Sequence, residues 1–318
     1  MCRLCAFVGC CAILVVSIAT TKPAAALEPK SPIRIGVLPT MYRGDKPSRA
    51  AAIREPLLDE VEARTGLDCE FVVVLSSSDM SRQLSEGRLH FGLCQGFEFA
   101  WMKTKEPKLK ALMVALPVHR PLKAFLVVAS SNPAKNLCEL RGKTLAIPNG
   151  SHAIVSLYAD RKCRCEDKLP KEIFKSIEKP ENSETALHQL YENEVQAAVV
   201  DGAALQAFAE RYPARSKYIR TLMESEPFPM SVVVTHDGIV DSNTLSRFQF
   251  GMQKAPASVM GRKLMGLMHS AGFEPVPANY DEQLADFVKR YPPGLNAGIE
   301  KLLHSPALGI DKLLPDRP

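Results

Sequence analysis

Short apolar runs alternate with helical patterns along most of this chain. A mainly parallel α/β sheet accommodates that order, whereas an all-helical or all-β fold does not. Ile33 to Leu38 reads as a buried strand stopping at Pro39. Ser48 to Arg64 then carries Ile53, Leu57, Leu58 and Val61 at helical spacing before Thr65-Gly66. Glu70 to Leu75 is a second strand. Ser76-Ser77-Ser78-Asp79 caps a helix that runs to Glu86 and closes at Gly87. Leu89 to Cys94 is a third strand, a helix containing Phe97, Phe99 and Trp101 follows, and Leu109 to Leu116 is a fourth strand.

After His119 the pattern starts again. Strands are expected at Ala124 to Ala129, Thr144 to Ile147, Glu172 to Ile177 and Ala197 to Val200, with a turn over Leu137 to Lys143. Pro148 to His152 opens a helix, a basic loop spans Arg161 to Lys171, and Glu184 to Glu192 is helical. Phe228 to Val234 is apolar once more. Helices fill 242–271, and Tyr280 to Tyr291 forms another. Beyond Pro292 four leucines occur with little periodicity.

The first 26 residues differ in character. Arg3 precedes an uncharged apolar run from Leu4 to Ala19, and Ala24 and Ala26 form an A-x-A site before Leu27. That is the layout of a secretory signal peptide cleaved near Ala26, which implies export to the periplasm. A retained anchor is the alternative, although the run is shorter than the ~20 residues of a membrane span. Cleavage removes Arg3, Lys22 and no acid, so 40 basic and 35 acidic side chains become 38 and 35. That small surplus is spread along the chain, which argues against a nucleic-acid partner. Cleavage also removes four of the nine cysteines. Cys69, Cys94, Cys138, Cys163 and Cys165 remain, an odd number that excludes a fully paired set and whose spacing gives no connectivity. Cys163-Arg164-Cys165 lacks the two-residue gap of a redox or zinc motif, and no metal is expected.

Five pieces in order resemble the phosphonate/phosphite/phosphate-type substrate-binding proteins of ABC transporters. They are Ile35-Gly36-Val37; the helix ending Thr65-Gly66; Leu84 to Arg88 before a strand; Leu137 to Gly150, with its L-x-G-K turn at Leu140 to Lys143; and Ser183-Glu184-Thr185 before Ala197 to Asp201. The resemblance spans most of 32–292. It implies a two-lobe type II periplasmic-binding fold, with mixed, mainly parallel sheets and helices on both faces. One lobe would comprise 31–118 and 235–292, and the other 119–234, inserted through hinge crossings near 117–124 and 229–235. Residues 293–318 would form a tail. Departures from the family pattern lie in the pocket. The family's hydroxyl-rich loop becomes Asn149-Gly150-Ser151-His152 with one hydroxyl, a frequent acid is His90, a pocket tyrosine is Phe99, and a His-acid pair becomes Ser183-Glu184.

The candidate ligand residues follow from this combination. A helix start presents unpaired amides and partial positive charge, which suits an anion. Asn149, Ser151 and His152 would hold one there, although Ser151 alone also reads as a helix cap. Ser77 and Ser78 begin a second helix after a strand and could face the first site, or simply belong to a capped helix start. Tyr42 and Phe99 are candidate pocket walls or core residues. Glu184 and Asp201 would meet a cationic group on the ligand, or else sit on the solvated surface. The expected function is capture of a small anionic solute by a monomer that delivers it to an ABC permease, without cofactor or chemistry. The alternatives are an extracytoplasmic sensing or interaction module, and an enzyme using Cys94.

Overall fold

The computed structural model describes residues 32–41, 47–72 and 74–293. The expected signal peptide, Tyr42 and the tail beyond 293 lie outside the described residues. From Ile33 the order is β1 (Ile33–Val37), α1 (Pro47–Thr65), β2 (Cys69–Val72), α2 (Ser77–Ser85), β3 (Phe91–Cys94), α3 (Gly96–Lys105) and β4 (Leu109–Pro117). A second series follows: β5 (Ala124–Ala129), β6 (Thr144–Ala146), α4 (Ala153–Lys162), α5 (Pro170–Ile173), β7 (Ser176–Glu178), α6 (Ser183–Tyr191), β8 (Ala197–Asp201), α7 (Gly202–Arg211), α8 (Pro213–Ser216) and β9 (Ile219–Glu224). The chain ends its described part with β10 (Val232–His236), α9 (Ser242–Gln253), α10 (Val259–Leu267), β11 (Ser270–Pro275) and α11 (Tyr280–Arg290).

These strands form two sheets, ordered β11-β4-β10-β3-β1-β2 and β7-β6-β8-β5-β9. In the first, β1 to β4 run one way while β10 and β11 oppose them. In the second only β5 is reversed. Each sheet is covered on both faces, which explains strands such as β8 that are buried along their whole length. On the first sheet, Leu57 and Val61 of α1 pack with Phe248, Met252 and Leu264 on one side. Met80, Leu84, Phe97 and Phe287 cover the other. On the second, Ile154, Leu157 and Tyr158 of α4 cover one face, and Leu187, Leu190 and Phe208 the other.

The chain crosses between the sheets twice, from Pro117 to Ala124 and from Glu224 to Val232. The crossings are tied together where Phe228 N–H donates to the Leu122 carbonyl at 2.8 Å. A pair of adjacent connecting segments of this kind permits rotation of the two sheets about one line.

Three expectations are corrected. Residues 172–177 are not one strand. Pro170 starts a helical turn at the position where its missing N–H costs nothing, and the Glu172 carboxylate accepts from Leu169 N–H at 2.9 Å, leaving β7 only Ser176–Glu178. Helices do not fill 242–271. Ser270–Pro275 is the edge strand β11, a place that tolerates its proline, and Gly272 has φ 154°, where other residues strain. The helix after Pro148 begins only at Ala153. Cys138 pairs with Cys165, bypassing Cys163.

Candidate functional site

Loops after the carboxyl ends of β1, β6 and β8 bring Met41, His152 and Asp201 to one cleft, where open α/β sheets place ligands. The first crossing adds His119, Leu122 and Lys123, the second adds Ser231, and the α10–β11 turn adds His269. The cavity measures about 30 Å³, room for about two water molecules.

Two helices begin at this cleft, each capped by its own side chain. His152 is the N-cap of α4 and its Nδ1 accepts from Ile154 N–H at 3.3 Å. Asp201, 1% exposed, is the N-cap of α7, and its Oδ1 accepts from Ala204 N–H at 3.1 Å. Gly202 follows because space demands it: a Cβ there would lie 2.4 Å from the His119 ring. His119 Nδ1 is in turn 2.9 Å from Gln206 Oε1. Lys123 Nζ pairs with Glu224 at 2.6 Å.

The other candidates from the sequence fall elsewhere. Ser151 is buried beside the cleft, and its hydroxyl donates to the Pro148 carbonyl at 2.8 Å. Asn149 is exposed, its amide donating to the Pro180 carbonyl. Gly150 is needed between them, since an added Cβ would sit 2.4 Å from the Glu181 carbonyl oxygen. Glu184 is engaged by Arg211 at 2.6 Å and by the Tyr212 hydroxyl at 2.9 Å. The Tyr212 bond, then Arg211, hold its carboxyl below the usual range. Phe99 is wholly buried, stacked on Tyr280 at 6.5 Å. Ser76 rather than Ser77 or Ser78 caps α2, and neither of those two lines the cleft. His90 accepts from Arg34 N–H at 2.8 Å inside the first sheet. Burial, then Arg34, lower its pKa. The sequence reading missed His119, Lys123, Ser231 and His269. Their signal was position alone, at crossings and in a turn whose strand went unrecognised.

Beneath the cleft floor lies a buried polar chain. Thr40 Oγ1 donates to Glu98 Oε2 at 2.7 Å, as does Gln95 N–H at 3.0 Å. Gln95 Nε2 donates to the Thr40 carbonyl at 3.0 Å, and Ser231 Oγ to Gln95 Oε1 at 2.9 Å. Burial pushes the Glu98 carboxyl up to about 7, against the opposing pull of the Thr40 and Gln95 bonds. A pKa raised in the folded state stabilises below the unfolded value near 4.5, and that contribution is lost as pH rises through about 7. Glu98→Gln is therefore expected to lie within about 1 kcal/mol of wild type at pH 5 and to be more stable by on the order of 3 kcal/mol at pH 8. Equal shifts at both pH values would contradict this. Burial, then Glu98, also push the Cys94 thiol well up, which favours its protonated form. Among the described residues no group of three or more His, Cys, Asp or Glu side chains is placed to hold a metal ion.

Residues 35–280 match the family model described as the periplasmic, phosphonate substrate-binding protein of ABC transporters. Among curated proteins none matches the chain. Solved structures share the fold at low identity. PhnD1 from Prochlorococcus marinus, in complex with methylphosphonate, is 9% identical with a TM-score of 0.56, covering 81% of this chain and 97% of that one. The binding component of an ABC phosphonate transporter from Pseudomonas aeruginosa is 13% identical with a TM-score of 0.52, covering 88% and 97%. A Xanthomonas citri protein bound to ATP is 16% identical with a TM-score of 0.58, covering 82% and 97%. With the family model matched across both sheets and the crossings between them, this chain belongs to the phosphonate-type periplasmic substrate-binding proteins of ABC transporters.

Proposed function

We propose that the chain captures a small oxyanion, phosphonate-like in shape, in the cleft between its two sheets and presents it to an ABC permease without altering it. The observation that carries this reading is the convergence on one cleft of the α4 and α7 starts with His119, Lys123 and His269. The helix starts supply oriented amide dipoles, and the side chains supply donors at a site lined otherwise by apolar groups. A cavity of about 30 Å³ is smaller than such a ligand, so entry requires the sheets to part about the paired crossings and to close again. The Cys138–Cys165 bridge suits an exported, oxidising setting, in agreement with the signal-like first 26 residues.

The test is a thermal-shift series on residues 27–318 with methylphosphonate, phosphite, phosphate, methanesulfonate and amino acids. At a concentration 100 times its Kd, a ligand bound only by the folded state adds about 2.7 kcal/mol, a rise of several degrees. The reading expects that rise from one or more oxyanions and none from amino acids. A flat response to every oxyanion would contradict it.

A further inference from the structure

We infer that Tyr158 sets how tightly the cleft holds its ligand: its hydroxyl, buried without a partner when the sheets are closed, biases the unliganded protein toward the open form. The inference rests on the capture reading above and names a residue that tunes it from outside the cleft.

The contact lies farther along α4 than the cleft. Tyr158 and Lys162 are four residues apart and so share one helix face. That face meets the second crossing and the end of α11. Lys162 Nζ stands 5.0 Å over the Tyr291 ring, which packs on Phe228 at 5.3 Å. Helix α4 covers the second sheet and α11 the first. The contact therefore joins the two halves through side chains, apart from the backbone of the crossings. A rotation that parts the cleft has to alter it.

Tyr158 is 1% exposed, yet its hydroxyl bonds to no group of the protein. Burial, then Cys163, Tyr291, Glu226 and Glu224, push its pKa up. The last three belong to the end of α11 and to the second crossing, so the surroundings of the hydroxyl are shared between the halves. A cavity of about 500 Å³ lined by Tyr158, Lys162, Met223 and Glu226 runs beside it. A small shift of α4 away from the crossing thus opens the hydroxyl to solvent. Burying a hydroxyl without a bond destabilises the state that buries it, here the closed one. Lys162 acts in the opposite sense, because a cation over an aromatic face is attracted and this attraction is made across the halves. Two side chains on one helix face therefore oppose each other in setting the balance between open and closed forms.

The experiment compares wild type, Tyr158→Phe and Lys162→Met, each as residues 27–318. Small-angle scattering is measured without ligand, and calorimetric titration uses methylphosphonate, phosphite, phosphate and methanesulfonate. Phenylalanine keeps the ring and removes the hydroxyl. The apparent dissociation constant varies inversely with the fraction able to close, so Tyr158→Phe should bind roughly five- to tenfold tighter. Its unliganded form should also scatter as a smaller particle. Lys162→Met keeps the apolar stem and should bind about two- to fivefold more weakly. A Tyr158→Phe protein unchanged in either particle size or affinity would overturn the inference and leave the capture reading standing. So would a Lys162→Met protein that binds as tightly as wild type or tighter. Failure of all four anions to bind wild type would overturn the capture reading, and scattering then decides the inference alone. A smaller Tyr158→Phe particle supports it, and equal sizes overturn it.

Discussion

Phe287→Ala is expected to destabilise the protein by about 3–5 kcal/mol, the cost of emptying a well-packed aromatic site. Phe287 is 1% exposed and its ring centroid lies 4.9 Å from Tyr291, 5.8 Å from Phe228, 6.0 Å from Trp101 and 6.4 Å from Phe97. These neighbours come from α3, from the second crossing and from the end of α11, so the ring joins elements distant in sequence. Polar contacts fix the same region: Trp101 Nε1 donates to the Tyr291 carbonyl at 2.8 Å, and the Tyr280 hydroxyl to the Met230 carbonyl at 2.6 Å. Such a lattice cannot collapse around a missing ring without moving backbone, which places the cost toward the upper end of the range. Denaturant titration measures it directly, as a lower midpoint at unchanged slope. A loss below about 1 kcal/mol would mean that α11 is not part of the cooperative core.

Replacing Cys138 and Cys165 together by alanine is expected to cost roughly 3.5 kcal/mol. The bridge closes a loop with a sequence separation of 27, and that length sets the entropy returned to the unfolded chain. It joins the turn Leu137–Leu140, which leads into β6, to the loop that ends α4. Arg141 pairs with Glu166 at 2.9 Å over the same junction. The intervening Cys163 is buried, and burial followed by Asp160 push its thiol up to about 12. It holds almost no thiolate near neutral pH and so does not scramble the bridge. Reduction of the wild-type protein should give the same loss as the double substitution. An unfolding midpoint indifferent to reductant would contradict the pairing.

Much of the fold was legible in the sequence because strands buried on both faces leave unmistakable apolar runs. Ala124 to Ala129 is a strand over the expected residues, and Ala197 to Val200 lies within β8. Caps were equally readable, as at Ser76 and the turn at Gly87. The edge strands β11 and β9 were not. Ser-Ala-Gly-Phe-Glu-Pro in β11 has no alternation, and only its pairing with β4 makes it a strand. Half-buried β9 went unassigned for the same reason.

The site was less legible. His152 and Asp201 do reach the cleft because each is fixed at a helix start by local chemistry. Phe99 and Glu184 depend on what surrounds them in three dimensions. Tyr280 takes the first into the core, while Arg211 and Tyr212 hold the second away from the cleft lining. His119 and His269 belong to connecting segments, where sequence offers no periodicity from which a direction can be read.

A crystal structure of residues 27–318, grown with the oxyanion that most raises the melting temperature, addresses the shared cleft directly. It should show the anion enclosed between the two sheets, within hydrogen-bonding reach of the α4 start and His152. An anion bound on an outer face, with none between the two sheets, would contradict the account.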